Sequence, residues 1–118
     1  VSSPTQRSLA QIRKCGMTVA IVEHWNPFAR IRQDLFGFID LLVIAPKMMA
    51  FQVTSGSNVS ARIKKILASP LAKEWVEDGH RIFVHGWAKN KNTKRWNCRE
   101  VEVFLSDFKE GEKTSEDR

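Results

Sequence analysis

Two short apolar runs each contain a polar residue that a buried strand holds only with a partner. Asp40 opens the first, Asp40-Leu41-Leu42-Val43-Ile44, and Gln52 alternates with Thr54 in the second, Met49-Ala50-Phe51-Gln52-Val53-Thr54. Side chains two apart on a strand share a face, so Gln52 and Thr54 point to one side of a sheet. If the runs pair as a hairpin around Ala45-Pro46-Lys47, Asp40 reaches that side too. A carboxylate and an amide oxygen converging at a sheet edge are ligands suited to a hard divalent cation. Taken singly these residues are ordinary: an aspartate after Gly-Phe-Ile is often a turn residue, and a Gln-x-Thr pair is often a solvated sheet face. Their convergence is what suggests chemistry.

The elements that would position them follow from local pattern. Ser3-Pro4-Thr5-Gln6 has the form of a capping box, and the helix it opens runs to about Cys15, stops at Gly16 and buries Leu9 and Ile12. The β-branched run from Thr18 to Trp25 predicts a first strand, broken by Asn26-Pro27. A loop rich in arginine and phenylalanine leads to Gly37, and strands are predicted at about 39–45 and 48–54. Ser57 or Asn58 can cap a helix to Ala68 with Val59, Ile63, Ile66 and Leu67 on its apolar stripe. Ser69-Pro70 opens a shorter helix with Leu71 and Trp75 inward and Gly79 closing it. Strands at Arg81–Trp87 and Trp96–Leu105 complete the order αβββααββ, the second with Val101, Val103 and Leu105 on one face. That order predicts an α/β fold with a mixed central sheet of about five strands flanked by helices, in one domain over residues 1–108. Residues 109–118 contain no hydrophobic side chain and are expected to be a disordered polar tail.

Charge narrows the class of partner. The chain of 118 residues carries a net charge of +6, and a basic domain of this size suits a polyanion such as nucleic acid. No apolar run approaches the roughly 18 residues that span a bilayer, so no membrane partner is expected. Cys15 and Cys98 are too few for a disulfide scaffold and lack metal-ligand spacing. They read as small core residues of a protein in a reducing cytoplasm.

A helix, a three-strand meander carrying an acid and then a polar-x-polar triplet, and a basic helix directly after resemble the PD-(D/E)XK nuclease superfamily. Within it the chain is most similar to the small archaeal-type Holliday-junction resolvases and related phage-encoded nucleases. Glu23, Asp40, the Gln52-Val53-Thr54 triplet and the segment Phe36-Gly37-Phe38-Ile39-Asp40-Leu41-Leu42 carry the likeness, which spans roughly residues 5–87. The resemblance implies a restriction-endonuclease-like core and a Mg²⁺- or Mn²⁺-dependent endonuclease that hydrolyses phosphodiester bonds in branched or junction DNA. It also implies a homodimer, because two strands related by a two-fold axis are cut. Glu23, Asp40 and Gln52 would then hold the metal, and Thr54 would orient water or substrate. Two departures stand out. Gln52 replaces the family's usual glutamate, and Thr54 replaces its catalytic lysine, which would offset developing negative charge. Lys65, on the following helix with Arg62 and Lys64, is the expected replacement for that lysine.

Arg30 and Arg32 lie between Glu23 and Asp40 and would contact phosphates, as would Arg62 and Lys64. Trp25, Phe28 and Phe36 flank the arginines, where they can stack on bases or pin the loop to the core. Lys89, Lys91, Lys94 and Arg95 cluster in a turn that reads as an electrostatic arm or a solubilising tip. His80 and His85 show no pattern of acid–base partners and are assigned no catalytic role. Two other readings compete with the nuclease: a nuclease-fold module that binds nucleic acid without cleaving it, and a protein-interaction domain whose charge only maintains solubility.

Overall fold

The computed structural model describes residues 3–108; the polar tail expected over 109–118 lies outside them. The first helix, α1, is Pro4–Lys14, with Ser3 Oγ accepting the Gln6 backbone N–H and Pro4 in the first turn. β1 (Thr18–Ile21) follows, then a separate two-stranded ribbon of β2 (His24–Asn26) and β3 (Ile31–Gln33). β4 (Leu41–Ile44) and β5 (Met49–Ser55) lead through a 3₁₀ turn at Gly56–Asn58 into α2 (Val59–Leu67) and α3 (Pro70–Glu77). β6 (Arg81–Lys89), β7 (Trp96–Val103) and a 3₁₀ turn at Leu105–Asp107 end the described chain. Among the described residues no helix is long and apolar enough to cross a membrane.

The fold is α/β, built on a five-stranded mixed sheet in the order β1-β4-β5-β6-β7. Only β5 and β6 are parallel, and they are joined through α2 and α3. Each face of the sheet buries its own cluster. Leu9 and Ile12 of α1 cover Val19, Leu41, Val43, Phe51, Val53, Phe83 and Trp87. On the other face α2 and α3 bring Val59, Ile66 and Ala72 against Ala50, Ile82, Val84 and Val103, with Phe38, Ile39 and Phe108 filling the ends. Burial on both faces is why the central strands read as continuous apolar runs. A Cβ on Gly86 would overlap the Val59 side chain, so glycine in β6 is what lets α2 lie this close to the sheet.

Several sequence expectations change. The strand expected over Thr18–Trp25 divides: β1 ends at Ile21, and Trp25 pairs with Arg32 in the ribbon, inside a stretch expected to be loop. Asn26 explains the ribbon's turn, since its Oδ1 accepts the N–H groups of Phe28 and Ala29 while Arg30 takes the left-handed conformation. Trp75 is inward as expected, but Leu71 is 49 % exposed; α3 turns Ala72 and Val76 to the core in its place. Leu105, expected on the Val101–Val103 face, lies exposed in the terminal 3₁₀ turn after β7 has ended. Cys15 is not a core residue: it is exposed at the C-terminus of α1, where the chain turns through Gly16, and Cys98 is half-buried.

Candidate metal centre

The strand directions bring one end of the sheet together as a working surface. β1, β5 and β6 run the same way, so Glu23 just beyond β1, the C-terminal half of β5 and the turn after β6 lie at that end. Asp40 joins them because it immediately precedes β4, which runs the opposite way. The ribbon and the β6–β7 turn emerge from the same end and flank it.

Asp40 sits where three local geometries meet. Its backbone carbonyl accepts the Val22 N–H and its own N–H donates to the Phe51 carbonyl, which places it between the first and fifth strands. Its side chain turns to Gln52: Oδ2 accepts Gln52 Nε2 at 2.8 Å and the Val53 backbone N–H at 2.7 Å. A buried aspartate is tolerated here because its carboxylate takes one backbone donor, the Val53 N–H, and one side-chain donor, the Gln52 amide. Asp40 is 3 % exposed and Gln52 fully buried.

A second aspartate completes the group. Leu35 and Ile39 exchange backbone hydrogen bonds around a turn in which Phe36 and Gly37 have positive φ. Asp34 and Asp40 are the next positions out from that pair, and side chains at such a position lie close together. The ribbon register adds the third acid. Since His24 pairs with Gln33, Glu23 falls opposite Asp34. One carboxylate oxygen from each of Glu23, Asp34 and Asp40 lies within 4.8 Å of the others. Asp34 is not among the ligands that the sequence suggests; the signal that could have found it is its symmetry with Asp40 about the Gly37 turn.

Electrostatics at this point are strained in a readable way. Gln52 Nε2 also donates to Asp34 Oδ2 at 3.0 Å, so one amide nitrogen holds two aspartates together. Its Oε1 is buried without a hydrogen-bond partner. Burial first, and then the hydrogen-bonding contact with Asp34, pushes the Asp40 carboxyl up to about 8; the Val53 and Gln52 donors pull it back only in part. Burial at this position therefore favours the protonated form of Asp40. Glu23 also meets Arg32 Nη1 at 3.7 Å, a partly exposed contact of little energetic weight.

The donor set suits a hard cation. Oxygens within 4.8 Å of one another are what one ion at roughly 2.1–2.4 Å from each ligand can span. The orphaned Gln52 Oε1 offers a fourth oxygen if the amide turns over, an exchange a cation would favour because it removes the need for Nε2 to bridge the acids. Glu23, Asp40 and Gln52, grouped on sequence grounds, are brought together in space, although Gln52 presents its nitrogen to the carboxylates. Thr54 is 6 % exposed on the Gln52 face, opposite Gly86, and does not line the adjoining cleft.

That cleft, of about 500 Å³, is lined by His24, Arg32, Gln33, Asp34, Leu35, Phe36, Gly37 and Lys65. Lys65 reaches it from α2; Arg62 and Lys64 point elsewhere on the helix and do not line it. Arg30 and Arg32 are exposed on the ribbon, and Lys89, Lys91, Lys94 and Arg95 are exposed on the β6–β7 turn. Lys94 and Arg95 share a second cleft of about 520 Å³ with Arg7, Trp87 and Trp96, where the Arg7 guanidinium lies 4.1 Å from the Trp96 ring centre.

His85 does have partners, contrary to the sequence reading. Ser8 Oγ lies 2.7 Å from His85 Nδ1, and His85 Nε2 lies 3.3 Å from Glu100 Oε1. The order matches that of a nucleophile, base and orienting acid, but Ser8 is fully buried and its Oγ accepts Trp87 Nε1 at 2.8 Å. No substrate reaches it. Because the Glu100 carboxylate can only accept, the neutral ring keeps its proton on Nε2, so Nδ1 accepts the Ser8 hydroxyl proton while Ser8 Oγ accepts the Trp87 indole N–H. Burial lowers the His85 pKa despite Glu100, so the contact is a hydrogen bond from a neutral ring rather than an ion pair.

Comparison of the chain with known protein families, with curated proteins and with solved structures yields no match.

Proposed function

We propose that the protein is a Mg²⁺- or Mn²⁺-dependent endonuclease of the restriction-endonuclease-like kind, acting on branched or junction DNA as a homodimer. The observation that carries this reading is the convergence of Glu23, Asp34 and Asp40 beside the orphaned Gln52 Oε1, at a sheet end flanked by two basic hairpins. The three acids would hold the ion, with Gln52 as a neutral fourth ligand. The bound ion supplies activation of water and stabilises charge on the scissile phosphate. Arg30 and Arg32 on one side and Lys89, Lys91, Lys94 and Arg95 on the other would hold the phosphate backbone across the acids. Lys65 brings the one cationic side chain of α2 that enters the cleft beside Asp34, the place where the missing family lysine would act. Thr54, being buried, has no part in this scheme.

A specific observation favours the second reading, a nuclease-fold module that binds nucleic acid without cutting it. Gln52 Nε2 donates to both Asp34 and Asp40, so a neutral amide stands where the family has an acid and its nitrogen takes up the carboxylates a metal would need. Incubating the protein with junction, flap, duplex and single-stranded DNA, with and without Mn²⁺, separates the two. Cleavage of a branched substrate that Asp40→Asn abolishes, with DNA affinity kept or raised, establishes the nuclease. Metal-independent binding of every substrate without a cut establishes the module.

A further inference from the structure

The β2–β3 ribbon has a composition that neither the acids nor the fold requires. Phe28 at its tip is 98 % exposed, and Trp25 and Ile31 behind it are 53 % and 50 % exposed. These residues contribute nothing to either core cluster. The tip is nonetheless well ordered by its own bonds: Asn26 Oδ1 accepts the N–H groups of Phe28 and Ala29 at 2.9 and 3.1 Å, and Arg30 N–H donates to the Asn26 carbonyl at 2.7 Å. A fully exposed ring on a fixed turn is a side chain presented to something.

We propose that the ribbon is an unstacking wedge, with Phe28 inserting at an unpaired or weakly stacked base step of branched DNA while Arg30 and Arg32 hold the adjoining phosphates. This rests on the nucleic-acid half of the proposed function and not on cleavage. Apolar side chains, phenylalanine among them, are the usual wedges between base steps, and aromatic rings also stack on splayed single-strand bases. The position sets a distance. Glu23 and Asp34 form the root of the ribbon, and three residue steps lead from Asp34 to Ile31, where the turn begins. At roughly 3.3 Å per residue the turn starts about 10 Å from the acids, or about three base steps of roughly 3.4 Å. A branch point engaged by Phe28 would therefore place the phosphate over the acids about three to four nucleotides away.

Charge and size argue for DNA over a second copy of the chain as occupant. Arg30 and Arg32 flank Ile31, and Arg32 pairs with Trp25 across the ribbon, so the presented surface is cationic as well as aromatic. A stable protein interface needs about 800 Å² from each partner, far more than one ring at the end of a short ribbon provides. Insertion of a single ring between bases needs only the ring.

The test uses a DNA junction with 2-aminopurine at the branch point and a matched perfect duplex, in EDTA so that no strand is cut. Binding of the parent protein is expected to brighten the junction probe and leave the duplex probe dark. Phe28→Ala is expected to abolish the brightening and weaken junction binding about ten-fold, the lower part of what one base–aromatic stack contributes, with duplex affinity unchanged. Phe28→Trp should retain the signal. Replacing Arg30 and Arg32 with alanine should lower affinity for both DNAs while a saturating concentration still brightens the junction. Brightening by Phe28→Ala equal to that of the parent overturns the wedge, as does tight DNA binding by the parent with no brightening; in both cases the nuclease reading survives. Absence of any DNA binding overturns both. A shift from dimer to monomer in Phe28→Ala, with brightening intact, assigns the ring to a contact between copies and overturns the proposal.

Discussion

Gln52 Nε2 lies 2.8 Å from Asp40 Oδ2 and 3.0 Å from Asp34 Oδ2, so a single buried amide bridges two carboxyl groups while its own oxygen goes unpaired. The arrangement is satisfied on the nitrogen side and deficient on the oxygen side. A cation among the acids would reverse both conditions, turning the amide oxygen inward and favouring the ionised form of Asp40, which burial opposes. The pair is thus a two-state element whose balance a divalent ion can shift.

Gln52→Glu follows directly. Without a divalent ion it replaces a bridging donor by another buried acid, which should destabilise the fold by about 1–3 kcal/mol, the cost of an unsatisfied buried polar group. With Mg²⁺ or Mn²⁺ the added charge should tighten ion binding by about ten-fold or more. Calorimetric titration and melting with and without the ion check this. Unchanged ion affinity places Gln52 outside the coordination shell.

The Ser8–His85–Trp87 network is expected to be structural. Ser8→Ala removes the acceptor of Trp87 Nε1 and the donor to His85 Nδ1, both buried. A loss of about 1–3 kcal/mol in denaturant unfolding is expected, with nucleic-acid binding unaltered. His85 adds a pH dependence. Its folded pKa lies below the ordinary 6.5, so the unfolded chain binds the extra proton first, and this contribution to stability is present above pH 6.5 and lost as pH falls below it. In Glu100→Gln the ring is without the charge that favours its protonation, and the acid-side loss should begin at the same pH and grow steeper.

Much of the fold can be read from local pattern, because the two faces of the sheet and the caps at Ser3 and Ser69 are written in residues close in sequence. Asp40 and Gln52 are legible for the same reason: each is a polar break in an apolar run, and strand alternation with a short hairpin puts them on one face. Asp34 is hidden because its role depends on the Leu35–Ile39 bridge, and an acid in a polar loop looks solvated until the turn is known. The ribbon escapes notice because Pro27 and two arginines resemble a breaker and a loop, while Asn26 organises the turn that closes it. Ser8 and His85 lie 77 residues apart, and no local pattern connects a serine on α1 to a histidine on β6.

Asp40 gives the opposite pH dependence to His85. Its folded pKa of about 8 lies above the unfolded value of 3.8, so the folded state binds the proton more tightly. The stability this contributes is fully present below pH 3.8, declines as pH rises and is gone above about 8. In EDTA the melting temperature should fall between about pH 4 and pH 8, and Asp40→Asn, a neutral isostere, should flatten that fall. Divalent ions should restore stability most at the alkaline end, where they no longer compete with the proton. A melting profile in EDTA that is flat for the parent over the same range would mean that Asp40 is ionised without a cation.

The last prediction concerns the charge that Thr54 cannot supply. Lys65 lines the cleft with Asp34 and Arg32, whereas Arg62 and Lys64 do not, as expected for helical residues separated by about 100° per position. If the protein cuts DNA, Lys65→Ala should lower the cleavage rate by about 10²–10³, the scale of removing one electrostatic stabiliser of a transition state, while leaving the substrate concentration for half-maximal rate nearly unchanged. Arg62→Ala and Lys64→Ala should instead weaken DNA binding and flatten its salt dependence, each by about one unit of log–log slope per phosphate no longer neutralised, with little change in maximal rate. Lys65→Arg should recover part of the rate, because it returns the charge with a different reach. Single-turnover rates at saturating protein separate these effects. Equal rates for the parent and Lys65→Ala would show that hydrolysis proceeds without a cationic side chain from α2, and would leave the acids and their metal ion to carry the chemistry.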